Sequence, residues 1–514
     1  MNDSRLWRAL TLAVERFPNR TAIWTTNRHL SYQEWYAEIQ RVAGGLLALG
    51  VSRGDRVAIG MRNSIAHATL QYAAQMIGAC AVPFNYRLKP AGVKHVLEDS
   101  GSKVVVVDDA VSPDTTAKLR GQGVECHWVR AKGDPAAFEH RFEDLDGAVD
   151  ESRLPNENDL SAIIYTSGTT GLPKGVPVTH RAVYERIITH TSTVGPHFDD
   201  GTRTVGATPL YHTVGLHWLF YYTVFVGGTY YPFERIDAET AEVVKSERLT
   251  YMHAPPTLYR MLISHLGASE KLESFREVVF GSAPGGAEFL ELLFERFPNA
   301  LVHEGYGTTE LSIPFMTSSM AGQAPGTLRL AADQRVRIVT SGGGADDLVR
   351  PGEVGELLVD MLNPGVFEGY WGANAAKTVE KVDHGWFRTG DLFRADSDGN
   401  YFYHGRLDEM FRSGAESIKP AEVEATLMNH PDVVDAAVIG VPDESWGNVV
   451  TAVIVRGSAG TSEEALDLHC RSSDLEDYKR PRRYVFVASI PRSPSGKIVR
   501  GEVRSMATIR QLIS

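Results

Sequence analysis

Four consecutive valines at 104–107 constrain this chain more than any other feature. A strand with one face in water alternates apolar with polar residues, whereas an unbroken apolar run needs cover on both faces. The same unalternated pattern recurs at 57–59 and 162–165, with helix-like stretches between the runs. Short buried strands alternating with helices define parallel sheets, so residues 1 to about 400 are expected to be α/β with doubly wound sheets. At 514 residues the chain is too long for one ordinary core, which predicts two or more domains.

Local signals refine this outline. Residues 5–50 read as helix, strand, helix, with Ser31 and Glu34 at capping-box spacing. Over 351–403 the pattern changes to β-rich hairpins with a turn at Asp398 and Gly399. Residues 419–500 then mix a helix at 421–429, strands at 433–440 and 451–455, and a helix near 462–472, the size of a small α+β domain. The boundary is placed near Arg406 to Asp408, giving an N-terminal domain of 1–405 and a C-terminal domain of 409–514.

Charge and cysteine usage exclude several functions. A net charge of -12 argues against binding nucleic acid, whose backbone demands clustered Lys and Arg. It leaves room for a local pocket that takes a small phosphorylated ligand. Cys80, Cys126 and Cys470 are far apart without CxxC spacing, so neither a disulfide framework nor a zinc site is expected. The first 20 residues carry charge throughout and lack an apolar signal core, and no apolar run is long enough to span a bilayer. A cytoplasmic protein is the expectation, with oligomeric state, a homodimer included, left open.

The most informative stretch follows the strand-like 161–165. It runs Thr166, Ser167, Gly168, Thr169, Thr170, Gly171, Leu172, Pro173, Lys174, Gly175. Glycine lets backbone N–H groups approach an anion, hydroxyls add donors and lysine adds charge, so the composition suits phosphate. It is not a Walker A loop, because Pro173 stands where the second glycine belongs and no Ser or Thr follows Lys174. By composition alone it could equally be a flexible surface loop.

This loop is nearly identical to the signature of the adenylate-forming (AMP-binding) superfamily, which includes acyl-CoA synthetases, adenylation domains of peptide synthetases and firefly luciferase. Five further segments resemble that family in the right order. They are Gly-Ser-Ala-Pro-Gly-Gly at 281–286, Gly-Tyr-Gly-Thr-Thr-Glu at 305–310, Trp-Phe-Arg-Thr-Gly-Asp at 386–391, Gly-Arg-Leu-Asp at 405–408 and Pro-Arg-Ser-Pro-Ser-Gly-Lys at 491–497. Together they cover the chain from about residue 5 to 503.

The resemblance implies a role for each matched position. The 166–175 loop would hold the β- and γ-phosphates of ATP. Tyr306 would stack on adenine, with Gly281, Ser282, Ala283 and Pro284 on the other side and Gly307 and Thr308 adjoining. Thr309 would touch the α-phosphate, and Glu310 would place Mg2+, a hard cation that prefers oxygen ligands. Asp391 would accept from the ribose hydroxyls with Arg406 beside it, and Lys497 would reach between the substrate carboxylate and the α-phosphate. Asp408 matches the hinge on which the small domain turns between two half-reactions, and aspartate tolerates unusual backbone angles. Each has a plainer alternative: a core tyrosine at 306, a first-turn helix acid at 310, a solvated loop lysine at 497.

The implied activity is ATP-dependent activation of a carboxylic acid as an acyl-adenylate, then transfer to coenzyme A. His212 resembles the family's gate to the acyl pocket, a satisfied core histidine being the other reading. Val214, His217, His253 and Gly281 would line that pocket. No Asp occurs in 211–218, where amino-acid-activating members carry one, so a fatty or aromatic acid is expected. The segment Ser413, Gly414, Ala415 lines the family's path to the thiol, and here the sequence departs from the pattern. Ala415 replaces a glycine and Ser417 an amide residue, which narrows the approach and penalises positive φ. A separate carrier-protein thiol is therefore the alternative acceptor. A retired nucleotide-binding scaffold is disfavoured because Lys497, Glu310 and Asp391 are all present.

Overall fold

In the computed structural model the valine run lies where its composition requires. Val104–Val107 pairs in parallel with Arg56–Gly60 on one side and His127–Arg130 on the other, and all four valines are buried. Val104 and Val106 face one apolar cluster, Val105 and Val107 another, so both faces of the strand are covered. The residues described are 4–134, 138–149, 154–166, 172–194, 201–283, 285–319, 326–414, 416–443, 446–457, 460–473, 475–492 and 498–511.

Two large sheets make up most of the chain. The first has seven strands in the order His140–Arg141, His127–Arg130, Val104–Val107, Arg56–Gly60, Cys80–Pro83, Leu160–Thr166, Lys174–Thr179. The second has eight, in the order Ser312–Ser319, Leu301–Thr308, Glu277–Gly281, Tyr251–Ala254, Arg203–Gly206, Thr229–Pro232, Thr21–Thr25, Arg28–Ser31. The largest core cluster draws on both sheets and on helices Tyr32–Ala48, Ile65–Met76 and His180–Val194 between them. The outer face of the eight-stranded sheet is covered by Ala238–Ser246, Pro256–Ser264 and Gly286–Arg296.

The N-terminal region holds one strand more than the sequence suggested. Thr21–Thr25 and Arg28–Ser31 form an antiparallel hairpin before helix Tyr32–Ala48. The capping box is formed: Ser31 Oγ accepts from Glu34 N–H at 3.3 Å, and Glu34 accepts from Ser31 N–H at 2.8 Å.

A third sheet is antiparallel and centred on Trp386–Ala395, which pairs with Val354–Asp360 and Tyr401–Arg406. Its turn follows the predicted residues, with Asp396 accepting from the Asp398 and Asn400 N–H groups and Gly399 at φ 76°. The separate C-terminal domain has a long hairpin, Val433–Asp443 with Gly447–Arg456. Strand Arg483–Phe486, absent from the sequence expectation, adds in parallel to it. Helices Pro420–Met428 and Glu463–Arg471 cover one face of this sheet, and Arg500–Gln511 the other. Cys80, Cys126 and Cys470 are free thiols. Among the described residues no helix is long and apolar enough to cross a membrane.

Candidate active site

The first site element lies where the eight-stranded sheet meets the antiparallel one. Tyr306 comes from Leu301–Thr308, and Asp391 stands directly opposite Arg406 in the pairing of Trp386–Ala395 with Tyr401–Arg406. The Tyr306 hydroxyl donates to Asp391 Oδ2, and Arg406 Nη1 donates to Asp391 Oδ1 at 3.1 Å. Arg406 Nε also donates to Asp408 Oδ1 at 2.9 Å. The Asp391 backbone N–H donates to Thr389 Oγ1 at 2.9 Å, and that hydroxyl donates to the Leu357 carbonyl at 2.8 Å.

The electrostatics follow from this geometry. Burial by itself depresses the Arg406 guanidinium, but the Asp391 and Asp408 carboxylates outweigh it and its pKa is raised. Burial raises the Tyr306 phenol, and the Asp391 carboxylate raises it further. Tyr306 therefore stays protonated and Arg406 charged. Phe393 packs against the Tyr306 ring edge to face, with centroids 4.8 Å apart, and fixes its plane.

A second group gathers at the end of strands Leu160–Thr166 and Lys174–Thr179, where Thr166 pairs with Lys174. Ser167, Gly168, Thr169, Thr170 and Gly171 lie outside the described residues. The Lys174 ammonium sits 5.3 Å over the ring of Tyr370, whose hydroxyl donates to Glu310 Oε1 at 2.8 Å. Burial lowers the Lys174 pKa, repulsion from Lys381 and Lys377 lowers it further, and Glu310 partly offsets them. Like charges held this close are costly alone and favour a bound polyanion. Sequence reading missed Tyr370, Lys377 and Lys381. The i, i+4 spacing of the two lysines on Ala376–Lys381 was visible, but nothing local ties that helix to the loop.

Between these groups the backbone comes unusually close to itself. Gly281 pairs with Gly305, and a Cβ on Gly281 would sit 2.6 Å from the Gly305 carbonyl oxygen. A Cβ on Gly307 would meet the Ser312 carbonyl oxygen at 2.1 Å. Ser282 (φ 67°) and Ser312 (φ 70°) both adopt the left-handed region, a cost that persists where the surroundings impose it. Ala283 follows Ser282 in the loop, Pro284 lies outside the described residues, and Thr309 is half-buried beside Glu310. The Thr308 hydroxyl is buried without a partner among the described residues.

The expected pocket residues divide by depth. His212 and Val214 are half-buried at the entry to a π-helix, Val214–Tyr221, while His217 and His253 are fully buried. His217 Nδ1 lies 3.4 Å from Nη1 of Arg186. Arg186 is itself buried; it donates from Nε to the Gly365 carbonyl at 2.7 Å and from Nη2 to the Glu310 carbonyl at 3.5 Å. Arg186 was not anticipated from sequence, since a lone arginine in a helix carries no signal of burial.

Ser413 and Gly414 stand apart, at the tip of the hairpin Phe411–Ser413 with Glu416–Ile418. The Gly414 N–H donates to the Trp446 carbonyl at 2.7 Å, and Gly414 has φ 61°. Ala415 and Lys497 lie outside the described residues. The structure thus brings Lys174, Tyr306, Glu310, Asp391 and Arg406 into one region and holds Ser413 and Gly414 in another.

A strand end carrying Lys174, a buried carboxylate gripped by tyrosine and arginine, and a close-packed glycine floor suit a nucleotide site on an α/β fold. The profile of the AMP-binding enzyme family matches residues 10–371, and that of the AMP-binding enzyme C-terminal domain matches 422–497. The chain belongs to the AMP-binding enzyme family. It is 33% identical to a 4-chlorobenzoate–CoA ligase of Arthrobacter sp, over 93% of this chain and 90% of that one. It is 33% identical to a feruloyl-CoA synthase of Amycolatopsis sp, over 95% and 96% respectively. The solved anthranilate CoA ligase in complex with anthranoyl-AMP superposes with a TM-score of 0.89 at 26% identity, covering 100% of this chain and 99% of that one.

Asp391→Ala leaves the Arg406 guanidinium short of one partner and the buried Tyr306 hydroxyl without its acceptor. Loss of about 2 kcal/mol is expected, seen as a lower urea midpoint. An unchanged midpoint would mean that water replaces the carboxylate at no cost.

Proposed function

We propose that this enzyme activates a fatty or aromatic carboxylic acid with ATP and transfers the acyl group to the thiol of coenzyme A. In the first step a carboxylate oxygen attacks the α-phosphorus of ATP and pyrophosphate leaves, giving the acyl-adenylate. In the second the thiol sulfur attacks the acyl carbon, its proton is lost and AMP leaves. The observation that carries this reading is the grouping of Lys174, Glu310 and the Asp391–Arg406 pair in one site of an AMP-binding family chain.

The difficulty of the first step is charge, because two anions must meet and more negative charge builds on the phosphoryl oxygens. The loop around Lys174, with Lys377 and Lys381, is suited to the β- and γ-phosphates. Asp391 is placed to accept from ribose hydroxyls beside Arg406, and Tyr306 offers a ring to adenine. Thr309 and the unpartnered Thr308 hydroxyl offer donors near the α-phosphate. Glu310 would hold Mg2+, since among the described residues its carboxylate makes no ion pair and its one hydrogen bond comes from Tyr370. When bound, that ion offsets phosphate charge. Lys497 would bring the remaining cation to the α-phosphate and the acid.

Coenzyme A is favoured over a carrier-protein thiol by a cleft of about 530 Å³ beside Ser413, lined by Trp446, Tyr478 and Arg482 among others. Trp446 is 54% exposed and Tyr478 43%, which offers aromatic faces and a cation to the nucleotide end of coenzyme A. The C-terminal domain, 409–514, would serve both steps by turning at Asp408, which the Arg406 guanidinium now ties to the Asp391 side.

The direct test is pyrophosphate release over fatty, benzoic and cinnamic acids, with and without coenzyme A. Acid-dependent release and free acyl-CoA are expected, and acyl transfer to a carrier protein alone would favour the alternative. Lys497→Ala should slow acid-dependent pyrophosphate exchange by roughly 10²–10³, as removal of one preorganised donor does; a wild-type rate removes this residue from the chemistry. Asp408→Pro should spare one half-reaction and damage the other, and equal damage to both contradicts a hinge at this residue. Trp446→Ala should raise the KM for coenzyme A about tenfold, the scale of a lost stacking contact, without changing pyrophosphate exchange. A KM unchanged by this substitution would place the nucleotide end of coenzyme A elsewhere.

A further inference from the structure

Four histidines converge beneath the glycine floor of the site. His253 pairs with Val279 and Val279 with His303, so these side chains form one row across the eight-stranded sheet. Gly281 and Gly305 pair with each other two residues further along their strands, which puts them on the same face. Helix His180–Val194 adds His190 over this face, and the π-helix Val214–Tyr221 adds His217 and Trp218. The rings of His190 and His253 stack at 5.7 Å and 12°, and those of Trp218 and His253 at 5.8 Å and 27°.

The hydrogen bonds within this cluster fix what it offers. The Tyr251 hydroxyl gives its single proton to the Trp218 carbonyl at 2.8 Å. His190 Nε2, 2.9 Å from the same hydroxyl, must then donate to it, which leaves His190 Nδ1 as an acceptor. No described residue donates to that atom. Arg186 can only donate, so His217 Nδ1 accepts and Nε2 carries a proton for which no described residue is an acceptor. Trp218 Nε1–H and His253 Nδ1 are likewise buried without partners among the described residues. Native interiors seldom leave several such groups together, and one apolar cluster holding both free donors and free acceptors points to a ligand that supplies both.

Charge selects the ligand further. Burial holds the His190 and His217 rings well below the usual histidine range; the neighbouring His253 and His303 rings disfavour a charge on the first further, and the Arg186 guanidinium disfavours one on the second. Burial, with a smaller contribution from His303, lowers His253 to about 3. The rings are neutral at physiological pH, so they suit a neutral polar group.

We propose that the acid carries a hydroxyl at the end remote from its carboxyl, received by His190, His253 and Trp218 at the bottom of the acyl pocket. The inference rests on the acid-activating reading of the site. A hydroxyl is the smallest neutral group that donates to an acceptor such as His190 Nδ1 while accepting from a donor such as Trp218 Nε1–H. The π-helical winding of 214–221 presents His217 and Trp218 side by side, as such irregular turns do at functional sites.

The test compares kcat/KM for pyrophosphate release within matched pairs: benzoic with 4-hydroxybenzoic acid, cinnamic with 4-hydroxycinnamic acid, and decanoic with 10-hydroxydecanoic acid. In the pair that fits the pocket length, the hydroxylated acid is expected to lead by at least about 10²-fold, since a site built to hydrogen-bond a hydroxyl rejects the analogue without it. His253→Phe and, as a gentler change that keeps the ring, Trp218→Phe should each cut that ratio at least about tenfold. The ratio is read within one preparation, so partial misfolding does not distort it. The proposal is overturned if the plain acid is used as well as its partner in every pair, or if both variants keep the wild-type ratio. Release with none of the six acids, hydroxylated or plain, would overturn the acid-activating reading and this inference with it.

Discussion

Asp391 is buried against the seam between the eight-stranded and antiparallel sheets, and its carboxylate cannot stay there uncompensated. Tyr306 from one sheet and Arg406 from the other supply the compensation. An unpaired ion in such a place costs several kcal/mol, so the pairing fixes three strands relative to one another at once. Because Arg406 also grips Asp408, the same guanidinium connects Asp391 to the segment leading into the C-terminal domain. Arg500 reinforces the far side, pairing with Glu424 inside the C-terminal domain and with Glu409 just past Asp408.

The rest of the site is arranged around backbone proximity. Gly281 and Gly307 permit approaches that any side chain would block, and Ser282 and Ser312 accept left-handed conformations at the same place. Such strain is sustained by the surrounding sheet, which is covered on both faces. Lys377 and Lys381, on helix Ala376–Lys381, repel Lys174 at its strand end. Below the floor the chemistry reverses, and the histidine cluster is polar but neutral.

Much of the fold was legible because it depends on local pattern. The valine run, the capping box at Ser31 and Glu34, and the turn at Asp398 and Gly399 each form as expected because the deciding atoms lie within a few residues of one another. The pieces that escaped are those whose identity depends on distant partners. Strand Thr21–Thr25 has a hairpin mate because Tyr230 offers it a sheet edge, and Arg483–Phe486 is a strand because Gly447–Arg456 lies beside it. In the site, segments with fixed internal spacing could be marked from sequence. Tyr370, Lys377, Lys381 and Arg186 could not, because no spacing links them to the residues they meet.

The sequence by itself determined that the chain forms covered parallel sheets with a small α+β domain behind them, and which segments belong to the AMP-binding family. Those properties follow from burial, periodicity and short-range spacing, which are written along the chain. Tertiary structure alone decided that Tyr306 and Arg406 share one carboxylate, that Lys174 lies over Tyr370, and that His190, His217, His253 and His303 gather under the glycine floor. These contacts join residues tens to hundreds of positions apart. A hydrogen bond or a pKa shift depends on distance through space, which only the folded arrangement of strands and helices sets.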